Sequence, residues 1–425
     1  MGATSILFYF CTMSMFIAEG WLLSRILPFQ RRANERELRS YRFLPLDGLR
    51  GVLALSVFFT HAASYYFFEQ TGLWEYPPSN FYRQMAVFPV SMFFFITGYL
   101  FWLKLAKRPK FHAWRFWVGR LGRLTPVYVT ACLCVFLLAA YLSGFHRQVS
   151  QGKLCLQLIS WLAFMGGQDI NGVQNSKLWL GAAWSLRFEW LFYFSLPFLG
   201  WFARRRLKTL LLVILSAGIS PLIGMLGVGG IAGGALRLLG SYSVFFAYTF
   251  SVGILVALLP RERLSKLACS SGATILSFIA LGITLCWIPP KHGLPESIGL
   301  VIPFACVCLG NTWFGLLSSR ALRFLGRISY SFYLLHFLGL TVVLMMMKGR
   351  GLLDGITPVR YWMIACGCGM VTLVVCAFSY QWLEDPFLHV GQSRTDETLP
   401  VLASIKAADT NSVLKHTVVS ELPQS

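Results

Sequence analysis

Residues 45–68 read PLDGLRGVLALSVFFTHAASYYFF. Beyond Arg50 the run is apolar or small, apart from His61 and a few hydroxyls. At about 1.5 Å per residue a helix of this length covers roughly 36 Å, more than the ~30 Å hydrocarbon core of a bilayer. The run lacks the alternation of a barrel strand, and in lipid every backbone amide must be satisfied within the segment, so it reads as a transmembrane helix. That helix carries Asp47, Arg50 and His61. Ionisable groups are costly inside a membrane, so these three are candidates for function first.

Nine further apolar stretches of similar length follow, at about 83–103, 124–143, 178–203, 209–227, 240–260, 270–288, 297–317, 328–347 and 360–384. The fold class read from them is all-α, a polytopic transmembrane helix bundle of ten core spans. Another apolar stretch, about 5–27, precedes them. It has no basic start and no small-residue cleavage pattern, and it contains Glu19 and Arg25. It is either an eleventh span or an interfacial helix, and not a cleaved signal peptide. Composition agrees: over 425 residues the chain is 56% hydrophobic and 13% charged, with mean hydropathy +0.62. Such a chain carries too much apolar surface for soluble domains alone.

The net charge of +20 raises the question of a nucleic-acid partner, and its position answers it. Segments 31–42, 104–123, 204–208, 261–266 and 318–327 hold 22 Lys and Arg, whereas the five connections on the other side hold 7. The excess flanks helices and follows the positive-inside rule, which makes the first group cytoplasmic and returns the C-terminus to the cytoplasm. No nucleic-acid partner is expected. The 11 cysteines include Cys132, Cys134, Cys306, Cys308 and Cys376 within apolar runs, and none has zinc-site spacing. They read as buried free thiols, with no metal site. Three regions result: residues 1–40, with the extra apolar helix and a basic linker; the bundle, 41–388; and a polar tail, 389–425, expected to be disordered. No internal repeat is visible, which weakens an inverted-repeat transporter reading.

Few ionisable residues lie inside the spans. Asp47 and Glu384 stand near cytoplasmic ends, and Asp47 is three residues from Arg50, a natural local ion pair. Glu189 and His61 lie roughly 21 Å and 24 Å from the cytoplasmic ends of their helices, so the two meet if those helices are neighbours. Arg50 and His61, eleven residues apart, share one helix face. Ser185, Glu189 and Tyr193 form an i, i+4, i+8 stripe, while Arg187 points away from it. Ser329, Tyr330, Ser331, Tyr333 and His336 add polar groups to the ninth span. Arg120 and Arg123 sit three apart before Pro126, which puts two guanidiniums on one face, a geometry suited to phosphate.

These residues fall into a recognisable order. Leu46-Asp47-Gly48-Leu49-Arg50-Gly51 with His61 resembles the opening motif of the acyltransferase-3 family. Phe93-Phe94-Phe95-Ile96-Thr97-Gly98-Tyr99-Leu100 resembles its second-helix motif, and Arg120-Leu121-Gly122-Arg123-Leu124-Thr125-Pro126 its RxxR motif. Trp184-Ser185-Leu186 with Glu189 and Tyr193 is similar to its W-S-L-x-x-E motif. Leu325-Gly326-Arg327-Ile328-Ser329-Tyr330 with His336 resembles the late L-G-x-x-S-Y motif, and Glu384-Asp385-Pro386 the closing one. Singly these are weak; six in order over 43–387 are specific. Residues 1–40 exceed the family's usual start, and the tail is too short for the hydrolase-like domain that some members carry.

The resemblance implies an integral membrane acyltransferase, of the type that O-acetylates bacterial surface polysaccharides, in the inner (cytoplasmic) membrane. It implies acetyl-CoA or another acyl-CoA as donor, with no metal, and a hydroxyl of a glycan or lipid-linked sugar as acceptor. Within that expectation His61 is the general base, because an imidazole titrates near neutral pH. Glu189 orients it or binds the acceptor, and Arg50, Arg120 and Arg123 hold the phosphates of CoA, with Arg50 nearer the thioester. Asp47, Trp184, Ser185, Tyr193, Ser329, Tyr330, His336 and Glu384 are structural or line the substrate. No serine or cysteine stands beside a base in the sequence, so direct transfer is preferred to a covalent intermediate. A transporter or flippase also wants Arg, His and Glu in the membrane, and a polytopic scaffold tolerates their loss; labelled acetyl-CoA separates these classes.

Overall fold

The computed structural model describes residues 2–27, 44–107, 111–165, 168–174, 183–228 and 234–387. The basic linker segment 31–42 and the tail 389–425 lie outside the described residues. Among the described residues there is no strand, only one isolated bridge between Ile170 and Val173. The chain forms an all-α polytopic bundle. Helices α1 (Ile6–Ile26), α2 (Leu44–Thr71), α3 (Asn80–Lys107) and α4 (Ala113–Leu142) come first. A short α5 (Gln151–Ser160) precedes α6 (Trp184–Ala203) and α7 (Arg206–Val228). Then α8 (Gly234–Phe245) runs through a π turn, Phe246–Phe250, into α9 (Ser251–Ala257). The last are α10 (Arg261–Ala268), α11 (Ser271–Trp287), α12 (Leu294–Cys308), α13 (Arg320–Arg327), α14 (Ser329–Lys348) and α15 (Pro358–Ser379).

Seven helices among the described residues are long and apolar enough to cross a membrane, or eight if the pair α10 and α11, bent by 79°, is one span. Each apolar stretch in the sequence overlaps a helix, but those at 178–203, 209–227 and 297–317 overlap α6, α7 and α12, which are outside this set, so length and hydropathy do not reach the count of ten. The stretch 297–317, for instance, is helical only to Cys308. α1 runs along the bundle from one end to the other. Near its start the carbonyls of Ala3 and Ser5 accept from Trp362 Nε1 at 2.8 Å and Tyr82 Oη at 2.9 Å. Near its end the Ser24 carbonyl accepts from Arg320 at 2.5 Å. Trp362 and Tyr82 open α15 and α3 on one face, and Arg320 opens α13 on the other.

α2 is the central helix, with 78% of its apolar window buried against 22% for α1. It packs on α3, α13 and α14, and its entry is unusually close to α13. A Cβ at Gly48 would stand 1.9 Å from the Leu317 carbonyl oxygen, and one at Gly326 would stand 1.9 Å from that of Asp47. Only hydrogen fits at either position. The glycines of the first and fifth motifs therefore let two backbones touch, which is how helices gain dispersion contact where lipid supplies no hydrophobic drive. Cys132, Cys306, Cys308 and Cys376 are buried free thiols as expected, whereas Cys134 faces outward.

This packing defines two ends. The ends of α3 and α7 that carry Lys104, Arg206 and Lys208, with the entries of α2, α4 and α13, form a basic face. The α2–α3, α11–α12 and α14–α15 connections form the opposite face.

Candidate active site

A cavity opens among α2, α3, α4, α6 and α14, with about 870 Å³ of atom-free space, part of it open to solvent. An apolar wall with a few convergent polar groups is the make-up of a small-molecule site. Its wall is half apolar, from Phe93, Phe94, Leu100 and Phe101, and half polar, from Arg50, Thr97, Arg120, Arg123, Ser185, Glu189, Tyr193, Ser329, Tyr330 and Tyr333. Eight of the thirteen candidate residues named from the sequence are thus on one surface. Asp47, Trp184, His336, Glu384 and His61 do not line it. Thr97 is an addition from inside the second-helix motif.

Three guanidiniums converge at the mouth. Arg50 pairs with Asp47 at 3.9 Å, the local ion pair the spacing predicts. Arg120 lies 5.4 Å from the Phe101 ring centroid and 5.8 Å from that of Phe116, and two aromatic faces hold it in the wall. Behind the arginines the π turn Tyr380–Glu384 folds Glu384 inward, where its carboxylate accepts from Ser331 Oγ. Ser331 lies 3.2 Å from Ser379 Oγ, and the charges of Arg123 and Arg50 act on Glu384. Glu384 is only 1% exposed, so its carboxyl is sealed beneath the cavity lining rather than part of it.

Deeper in, the α6 stripe is knitted to its neighbours. Tyr193 Oη donates to Glu189 Oε1 one turn earlier. Ser185 Oγ and Tyr333 Oη lie 2.9 Å apart, Tyr330 Oη donates to the Leu124 carbonyl at 2.8 Å, and Trp117 Nε1 donates to that of Tyr193 at 3.0 Å. Arg187 points away, its Nε donating to the Trp184 carbonyl at 3.1 Å.

The His61–Glu189 meeting anticipated from equal depth does not form. Glu189 bonds Tyr193, and His61 Nδ1 lies 2.9 Å from His336 Nε2. The reason is helix order: α14 packs on α2, whereas α6 packs on α3 and α7. Hydrogen-bond chemistry fixes the tautomers. A carbonyl only accepts, so His336 Nδ1, 2.8 Å from the Phe332 oxygen, carries a proton. The Nε2 of a neutral His336 is then an acceptor, His61 Nδ1 must donate to it, and His61 Nε2 keeps its lone pair. The half-buried His61 ring is held between Phe337 (centroids 4.5 Å apart) and His336 (5.1 Å). His336 stands one turn beyond Tyr333 on α14. The imidazole pair thus adjoins the cavity's inner wall without lining it.

Compared with known proteins, the chain matches the sequence model of the acyltransferase-3 family, described as an acyltransferase domain, over residues 43–380. A Rhizobium radiobacter protein called protein 2 in the picA locus is 27% identical over 189 residues, 41% of this chain and 89% of that one. Proteins of Staphylococcus aureus strains COL and N315, provisionally named O-acetyltransferases, are 25% identical over 389 residues, 83% of this chain. The chain spans 58% of the length of those staphylococcal relatives. No solved structure matches it.

Proposed function

The chain belongs to the acyltransferase-3 family, an integral membrane fold whose general chemistry is acyl transfer, and on that premise we propose that it moves an acetyl group from acetyl-CoA to a hydroxyl of a glycan or lipid-linked sugar. The observation that carries the reading is the convergence of Arg50, Arg120 and Arg123 at the mouth of a cavity whose inner wall adjoins the His61–His336 pair. Guanidiniums bind phosphate bidentately, and CoA is the phosphate-bearing form of an activated acyl group. The basic face is cytoplasmic in this reading, as the charge asymmetry requires, and the membrane is the bacterial inner one.

The steps balance without a covalent enzyme intermediate. The acceptor hydroxyl gives its proton to His61 Nε2 while its oxygen attacks the thioester carbonyl carbon. The carbon–sulfur bond breaks, and the CoA sulfur takes the proton back from His61. His336 is a positioning residue that keeps the lone pair on Nε2. The arginines hold the donor, and Glu189 with Tyr193 and Ser185 supports its reacting end. The test is CoA release from labelled acetyl-CoA by the protein in lipid nanodiscs. Release should depend on Arg120 and His61; full activity of His61→Ala at normal expression would overturn the mechanism, and absence of acetyl-CoA binding would favour a transport role.

A further inference from the structure

On the face opposite the basic one, three polar side chains remote in sequence meet beside an aromatic surface. Ser91 Oγ, in α3, lies 2.8 Å from His292 Nδ1, in the α11–α12 connection, and donates to Glu296 Oε2, in the first turn of α12, at 3.2 Å. The connection is pinned in place: Gln84 and Asn80 donate to the Ile288 carbonyl at 2.9 Å and 3.0 Å. His292 is flanked by two rings, with centroids 5.7 Å from Trp184 and 5.0 Å from Phe245.

Two features go beyond a structural tie. Glu296 is fully buried, and its second oxygen, Oε1, has no partner. A buried acceptor left unpaired costs about 1–3 kcal/mol, so a ligand donor at this oxygen would recover what the fold gives up. The cluster also shares a wall with the basic cavity. Val90 and Ser185 line that cavity, and their chain neighbours Ser91 and Trp184 belong to this cluster. Whatever binds against Trp184 therefore stands one residue away from the site assigned to the acyl donor.

We propose that Ser91, His292 and Glu296, with Trp184 as an apolar floor, form a second ligand site that takes a neutral, hydroxyl-bearing saturated ring. Flat aromatic rings accept the C–H face of such a ring, and the polar trio offers acceptors to its hydroxyls. The trio contains no Lys or Arg, and burial holds the His292 imidazole down at about 4, uncharged at neutral pH. The trio itself therefore offers no cation to an acidic ring. The ligand's role as acyl acceptor rests on the acyl-transfer reading; the site itself does not.

The experiment is protection of His292 in the full chain in lipid nanodiscs, free of sugar detergents. The imidazole is 18% exposed and open to carbethoxylation by diethylpyrocarbonate, read by peptide mass spectrometry. Methyl β-D-glucopyranoside at about ten times its Kd should slow modification of His292 about tenfold, by simple mass action. Glycerol at matched hydroxyl concentration should give no protection, because it lacks a ring face. Glu296→Leu should abolish protection, with unchanged acetyl-CoA affinity showing that the fold persists, and Trp184→Ala should abolish it with an unchanged helical circular-dichroism signal. An unprotected His292 in the parent protein, or equal protection in both variants, overturns the site. If His292 is protected but acetyl-CoA neither binds nor turns over, the acyl-transfer reading fails and this site stands. If acetyl-CoA turns over and His292 is unprotected, the reverse holds.

Discussion

His61 and His336 touch through ring nitrogens 2.9 Å apart, although 275 positions separate them in the chain. The carbonyl of Phe332 sets the proton on His336, and His336 in turn sets the proton on His61. In the proposed mechanism this leaves His61 ready to act as base without reorganisation.

His336→Leu should therefore lower kcat by about 10- to 100-fold, within the range that second-layer partners of histidine contribute. Acyl-CoA affinity should not change, because His336 is outside the cavity. His336→Gln, whose amide oxygen can accept from His61, should restore part of the rate. Equal kcat in the parent and His336→Leu proteins would remove His336 from the mechanism.

Arg120→Ala and Arg123→Ala should each raise the acetyl-CoA Kd by roughly 10- to 100-fold, since a hydrogen bond to a charged group is worth about 1.5–3 kcal/mol. Lysine at either position should recover only part of the loss, because an ammonium lacks the planar fork. Isothermal titration in nanodiscs reads both. Affinity should also fall with rising salt, and less steeply in the variants.

Tyr193→Phe removes the hydroxyl that donates to Glu189. An unpaired, half-buried carboxylate should cost about 1–3 kcal/mol of stability, seen as a lower thermal midpoint. Glu189→Gln with Tyr193→Phe should cost less than the sum of the single changes, the sign of a direct pair in a double-mutant cycle.

Gly326→Ala should destabilise the bundle by at least the 1–3 kcal/mol typical of overpacking, because its Cβ would fall 1.9 Å from the Asp47 carbonyl oxygen. The clash lies between backbones and has no flexible side chain to absorb it. Since Asp47 pairs with Arg50, the surviving folded fraction should also bind acetyl-CoA more weakly. A thermal midpoint equal to that of the parent protein would contradict the close approach.

Much of this was legible in the chain itself. The apolar runs announce membrane helices because lipid leaves the backbone no other solvent. The i, i+3 spacing of Asp47 with Arg50 announces a contact within one helix, and it forms. The sequence puts Glu189 and Tyr193 on one stripe but points Glu189 to a partner on another helix, whereas the structure pairs it with Tyr193. The glycines of the Leu46–Gly51 and Leu325–Tyr330 stretches mark helix entries, but the sequence does not show that they face each other.

Everything local can be read from the chain: helical segments, the charge asymmetry across them, and which side chains share a helix face. Those follow from a fixed rise and turn per residue. Which helices are neighbours comes from packing alone. Depth along a span is a one-dimensional quantity: it puts Glu189 near the level of His61 and says nothing about which helices are neighbours. α14 occupies the place beside α2, so His336 takes the partnership and Glu189 turns to Tyr193. The same packing brings Ser91, His292 and Glu296 together across two hundred residues, and no spacing rule in the sequence reaches that far.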